Sequence, residues 1–160
     1  MLSETFQVTL HECPRAFTRE MNFIFPNVIP IASPLFALIT CQHACVDLSQ
    51  FNDEADREKD HLLETFMDMA KQLCTTLHAL GYWADYIDPC SGLPMLTSSG
   101  NTVYSEVEGL QRLLHYNVVN AGTCKIILHP VWGAKMYPAS LFTTAPSKIV
   151  LPLLQKMSVE

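Results

Sequence analysis

Between positions 57 and 80 apolar residues recur at intervals of three and four. Leu62, Phe66, Met69, Leu73, Leu77 and Leu80 carry the repeat, and Leu63, Met67, Ala70 and Cys74 widen it. At 3.6 residues per turn these side chains share one face, so the spacing predicts a long amphipathic helix with one side to bury. Gly81 stands where a left-handed residue would end it. Cys74 lies within the apolar stripe and reads as core packing.

A stripe that wide needs a partner layer, and the remaining sequence supplies it as strands. "PLFALITCQ" (34–42) is a continuous apolar run of strand length, expected as a buried strand. "YWADYID" (82–88) reads as a short strand, "DPCSG" (88–92) as a turn and "LPML" (93–96) as a returning strand. Further strands are expected at 124–128 and 137–143, the first of them buried. "DLSQFNDEAD" (47–56) reads as a polar connection and "TSSGNT" (97–102) as a flexible one. Pro14 opens a first helix that buries Phe17, Met21, Ile24 and Phe25 and is stopped by Pro26. Ser105 and Glu108 form a capping-box pattern for a short helix running to about Leu114. The tail 145–157 reads as helical, kinked or restarted at Pro152. Helices and strands do not alternate strictly, so the class is α+β, with residues 1–160 forming one domain.

Composition narrows the functions open to such a domain. Hydrophobic residues make up 49% of the chain and charged residues 16%, enough apolar side chain for a sizeable core. Net charge is −6, and the ten Lys and Arg are scattered. A basic stripe that could track phosphates is missing, which argues against nucleic-acid binding. No apolar stretch has the length of a membrane span, and the first residues lack the basic and apolar regions of a secretory signal. Six cysteines at 13, 41, 45, 74, 90 and 124, in a chain with this much core, read as reduced thiols of a cytoplasmic-type protein.

Familiar catalytic signatures are missing. The six glycines never form Gly-x-Gly, which excludes the dinucleotide fingerprint and the Walker loop, and no nucleophile elbow or zincin helix occurs. In "TCQHACVD", Cys41, His43 and Cys45 would share one face of a continuing strand, and soft sulfur and nitrogen donors suit zinc. A closed zinc site wants a fourth ligand, and none stands nearby at a recognisable spacing. "LHEC" has the same weakness. Cys90 belongs to turn chemistry. Cys124 differs from these. It follows Gly122 and Thr123 and opens the run Lys125-Ile126-Ile127-Leu128, so a tight turn presents the thiol at a strand mouth where glycine leaves room for a large ligand. Lys125 faces the opposite way and is not credited with activating the thiol. From the residues alone Cys124 is open to four readings: core filler, disulfide partner, nucleophile or ligand to a soft metal.

"GYWADYIDPCSG" (81–92), "GTCKIILHPVWG" (122–133) and "SLFT" (140–143) resemble the C-terminal domain of the cobalamin-trafficking CblD (MMADHC) family, and "ECPRAFTREMNFIFP" (12–26) matches its opening helix less tightly. "TCQHACVD" and "LPMLTSSGNTVYSEVEGLQ" depart from the family pattern. The resemblance implies a nitroreductase-like α+β fold without flavin, its sheet mixed or antiparallel and flanked by helices. It implies a non-enzymatic adaptor that receives processed cobalamin from a CblC-type partner. The cargo would go toward methionine synthase in the cytosol or methylmalonyl-CoA mutase in mitochondria, the latter in a form carrying a presequence. It also implies that Cys124 is the residue whose thiolate coordinates cobalt, with Gly122 and Thr123 admitting the corrin edge, Trp132 supporting the loop, and the edge around 122–133 meeting CblC. Two rivals stand beside this reading: an interaction module with no cobalt contact, and a flavin or thiol reductase.

Overall fold

The computed structural model describes residues 3–29, 33–97, 100 and 102–158. The long helix, α2, spans Asp53–Ala79, starting earlier than its apolar stripe. Asn52 caps it, its Oδ1 accepting the Ala55 N–H at 2.8 Å. Asp53, Glu54 and Asp56 occupy the first turn, where the helix dipole favours negative charge. The polar stretch 47–56 is thus half connection and half helix start. Gly81, at φ +85°, follows the helix end as expected.

The remaining elements, in chain order, are β1 (Phe6–Glu12), α1 (Arg15–Ile24), β2 (Phe36–His43), then after α2 β3 (Ala84–Tyr86), α3 (Glu106–Leu113), β4 (Asn117–Ala121), β5 (Cys124–Leu128), β6 (Met136–Thr143) and α4 (Ser147–Met157). Four strands form an antiparallel sheet in the order β1-β2-β6-β3, and β4 and β5 form a separate antiparallel hairpin. The α+β reading therefore holds, with the sheet antiparallel.

Helices cover both faces of the larger sheet. On one side Leu38, Tyr86, Ala139 and Leu141 pack against Phe66, Leu73 and Leu77 of α2 and Val150 and Leu154 of α4. On the other, Ala37, Ile39, Cys41 and Phe142 meet Phe17, Met21 and Ile24 of α1, Leu110 of α3 and Ile127 of β5. Central β2 is buried on both faces, so its sequence shows a continuous apolar run and not an alternation. Its polar side chains are satisfied: Thr40 donates to the Ala139 carbonyl at 3.0 Å, and Gln42 to the Leu62 carbonyl at 2.7 Å.

Several elements depart from the sequence expectation. β1 is an additional strand beyond those expected, with Phe6, Val8 and Leu10 alternating toward the α2 side of the sheet. β4 is a second additional strand. β5 is not a buried strand: Ile127 is buried, while Cys124 and Lys125 are exposed, because its partner is the outlying β4 and not the central sheet. The segment 93–96 makes a single bridge, Ile87 to Pro94. Two backbone hydrogen bonds, Asp88 N–H to the Leu93 carbonyl (2.9 Å) and Met95 N–H to the Tyr86 carbonyl (3.0 Å), return the segment along 86–88, and a buried carboxylate takes over beyond them. Asp85 Oδ1 accepts the N–H groups of Tyr86 (2.7 Å) and Leu96 (2.9 Å), and Oδ2 accepts that of Thr97 (2.8 Å). Of the expected flexible stretch 97–102, positions 98, 99 and 101 lie outside the described residues. α4 runs through Pro152 without ending. Among the described residues no helix is long and apolar enough to cross a membrane.

Candidate functional site

The hairpin that carries Cys124 turns in two residues. Ala121 pairs with Cys124, leaving Gly122 and Thr123 as the connection. Gly122 has φ +64°, and Thr123 is not among the residues of positive φ. A glycine at the first central position with an ordinary second residue is the pattern of a type II′ turn, whose twist matches that of antiparallel strands. A Cβ on Gly122 would meet nothing within 4 Å, so the turn is open on its outer side. Gly122, Thr123 and Cys124 are all exposed.

The six thiols divide evenly. Cys13, Cys41 and Cys74 are buried, and Cys45, Cys90 and Cys124 are exposed; all are free. Burial, with Glu12 and Glu106 nearby respectively, pushes the Cys13 and Cys41 thiols up to about 12, and burial and Asp85 push Cys74 higher still. Such groups stay protonated at neutral pH and cannot serve as thiolate donors. Cys90 sits in the expected turn, with its N–H on Asp88 Oδ1, and burial, Asp88 and Asp60 raise its thiol too. The Cys41, His43 and Cys45 grouping does not form. β2 ends at His43, Cys41 lies in the core, and Cys45 has left the strand, its N–H donating to Glu58 Oε1 at 2.9 Å. Among the described residues no group of three His, Cys, Asp or Glu gathers as a metal site.

The foot of the hairpin is built more firmly than its tip. Ile127 enters the core. His129 Nδ1 accepts the backbone N–H groups of Val131 and Trp132, each at 3.1 Å, so the ring proton resides on Nε2 and is donated to Gln7 Oε1 at 2.9 Å. Burial, and secondarily His43, lowers the His129 pKa, which keeps the neutral tautomer in place. Trp132 stacks on His129 (4.1 Å, 14°) and on His43 (4.8 Å, 6°), and Tyr116 meets His129 edge-on at 5.5 Å. His129 thus ties the end of β5 to β1, and Trp132 ties it to β2. The sequence named Trp132 and, as a zinc candidate, His43; it did not single out His129, which meets Trp132 within one turn, whereas His43 reaches the pair only through the fold.

Beside this cluster lies a concavity of about 450 Å³ lined by Tyr116, Asn117, Leu128, His129, Pro130 and Val131, among others. Asn117 and Leu128 form the last pair of the ladder and Ala121 and Cys124 the first. The thiol and the concavity therefore stand at opposite ends of the hairpin, about 13 Å apart along the strands. What the arrangement offers is an accessible sulfur on a narrow open turn, held up by a rigid aromatic foot.

Residues 3–154 match the family model described as methylmalonic aciduria and homocystinuria type D protein. The chain is similar to proteins named cobalamin trafficking protein CblD. It is 35% identical to that of Rattus norvegicus over 143 residues, covering 89% of this chain and 48% of the relative. It is 34% identical to that of Homo sapiens, with the same coverage. With that of Gallus gallus the identity is 32% over 152 residues, covering 95% of this chain and 50% of the relative. The chain spans about half the length of the curated relatives it matches.

Proposed function

The chain belongs to the methylmalonic aciduria and homocystinuria type D family, and on that premise we propose that it is a non-enzymatic adaptor in cobalamin trafficking. It accepts processed cobalamin from a CblC-type partner and directs it toward methionine synthase in the cytosol or methylmalonyl-CoA mutase in mitochondria. Cys124 supplies the contact to the cargo. Its thiol loses a proton, and the thiolate donates an electron pair to an axial position of the corrin-bound cobalt, displacing the ligand held there. Gly122 and Thr123 let the corrin edge approach, and the partner meets the edge around 122–133. The nitroreductase-like reading of the α+β fold, without flavin, goes with this role.

The observation that carries the proposal is the exposure of Cys124 on a glycine-opened turn, where a macrocycle held by another protein can reach the sulfur from outside. Because the sulfur does not line the concavity at the hairpin foot, the chain alone holds cobalamin weakly and the complex holds it well. In a mixture of the chain, CblC and cobalamin, Cys124→Ser and Cys124→Ala abolish the thiolate-type visible spectrum and leave the circular dichroism unchanged. A spectrum untouched by both substitutions removes Cys124 from the mechanism.

The distance between thiol and concavity also favours a second reading, an interaction module of the same pathway with no cobalt contact. In that case the wild-type mixture forms the complex without a thiolate band, and Cys124→Ser forms it equally well.

A further inference from the structure

The first residue of α3 is a carboxylate that, among the described residues, pairs with no cation. Glu106 follows the N-cap Ser105. Its side chain turns inward, and the Ser140 Oγ, in the middle of β6, lies 2.6 Å from Glu106 Oε2. Tyr104 OH lies 3.4 Å from the same Ser140 oxygen. Glu106 Oε1 is buried and has no hydrogen-bond partner, the one such side-chain atom among the described residues. The site is tightly closed on the α3 side: a Cβ added at Gly109, one turn along α3, would overlap the Tyr104 hydroxyl. Arg112, the cation of the same helix, is committed elsewhere, to the Glu20 carboxylate and the face of the Phe17 ring.

A buried carboxylate with an orphan oxygen is stable as the neutral acid and costly as the anion. The titratable groups that face it do not compete for the role. Cys41 of β2 is pushed up to about 12, and Tyr104 and, on β6, Tyr137 are also raised; Cys13, which faces Tyr104, is likewise pushed up to about 12. Glu106 itself is raised to about 7 by burial, against the opposing hydrogen bonds from Ser140. The dipole of α3 favours the charge at this position and is outweighed.

We propose that Glu106, Ser140 and Tyr104 form a proton-operated latch that fastens α3 to β6, and through α3 steadies the hairpin that presents Cys124. α3 packs against β4 and β5 as well as β6, so loosening its first turn frees the foot of the hairpin. The bearing on cargo rests on the reading of Cys124 above; the latch itself does not. Its direction follows from linkage. The closed form keeps the proton up to about pH 7, whereas an opened Glu106 loses it near the ordinary value of about 4.3. Closure is therefore strongest at low pH and weakens as pH rises through that window.

The test is hydrogen exchange of the chain between pH 5 and 7.5, each amide normalised to its intrinsic rate. Protection over α3, β4 and β5 should fall on the order of fiftyfold across that range, and Glu106→Gln should show no such fall. A flat wild-type profile, or the same decline in Glu106→Gln, overturns the latch. Should Glu106→Gln fail to fold, isotope-edited infrared spectroscopy of the wild type reads the proton directly. One glutamic acid band should persist until about pH 7, and its disappearance with the other carboxyl groups overturns the proposal. Cys124→Ser should keep the full pH response, so a failed latch and a failed cobalt contact give different results.

Discussion

β2 and β5 are written in nearly the same letters, and the fold treats them in opposite ways. Each contains a cysteine, isoleucine and leucine in a short apolar run. β2 lies between β1 and β6 with helices on both faces, and all of its residues except the two ends are buried. β5 pairs with an outlying strand and offers one buried residue, Ile127, to the core. Their cysteines follow suit. Cys41 is 3% exposed and its thiol is driven up to about 12, while Cys124 is open to solvent. What separates them is the neighbour each run pairs with, which local apolarity does not specify. The proposed cobalt contact needs the second environment, since a sulfur locked as a neutral thiol in the core can donate to nothing.

The sharpest way to break the contrast is chemical. At pH 7 a thiol with a pKa of about 12 has a thiolate fraction on the order of 10⁻⁵, before steric exclusion is counted. Iodoacetamide should label Cys124 in the folded protein and leave Cys41 untouched until denaturant is added, a rate ratio on the order of 10³ or more. Cys45 and Cys90 are exposed as well, so the readout is peptide mapping, not total label. Native labelling of Cys41 at the rate of Cys124 would erase the difference between the two strands.

Stability separates them next. Leu38 of β2 is fully buried between the sheet and α2, and Leu38→Ala should cost about 3 kcal/mol in urea denaturation, through lost burial and the cavity left behind. Val119 of β4 is 43% exposed, and Val119→Ala should change stability by less than about 0.5 kcal/mol. Comparable losses at the two positions would mean that the hairpin belongs to the cooperative core.

The same contrast explains what the sequence disclosed. α2 and β2 were legible because a wide apolar stripe and an uninterrupted apolar run both demand burial, and a small domain has few ways to provide it. The tight turn before Cys124 was legible from Gly122. β4 was not, since Asn117-Val118-Val119-Asn120-Ala121 is half-buried at best and carries no face to read. β1 did carry an alternation, in Phe6, Val8 and Leu10, but it is only three apolar residues long and its last two are no more than half-buried. Glu106 was hidden for another reason. An acidic residue just after a helix cap is usually a solvated partner of the dipole, and only the approach of Ser140 from β6 turns it into a buried acid. The site divides along the same line: the thiol and its turn come from adjacent residues, and so do His129 and Trp132, whereas His43 joins that pair only from the distant end of β2.

The smallest effect concerns the turn itself. Gly122 lies at φ +64°, where a side chain is strained whatever space surrounds it, and the surrounding space is empty. Gly122→Ala should therefore act through the backbone alone, costing the hairpin about 1 kcal/mol. The loss should appear as faster amide exchange over β4 and β5 with the urea midpoint nearly unmoved, since the larger sheet does not depend on the hairpin for its strand pairing. Thr123→Ala, at an ordinary φ, is the control and should change exchange by less than about 0.5 kcal/mol. If the two substitutions are equivalent, the positive φ is not what positions Cys124, and the rigidity of the site must come entirely from the aromatic foot around Trp132.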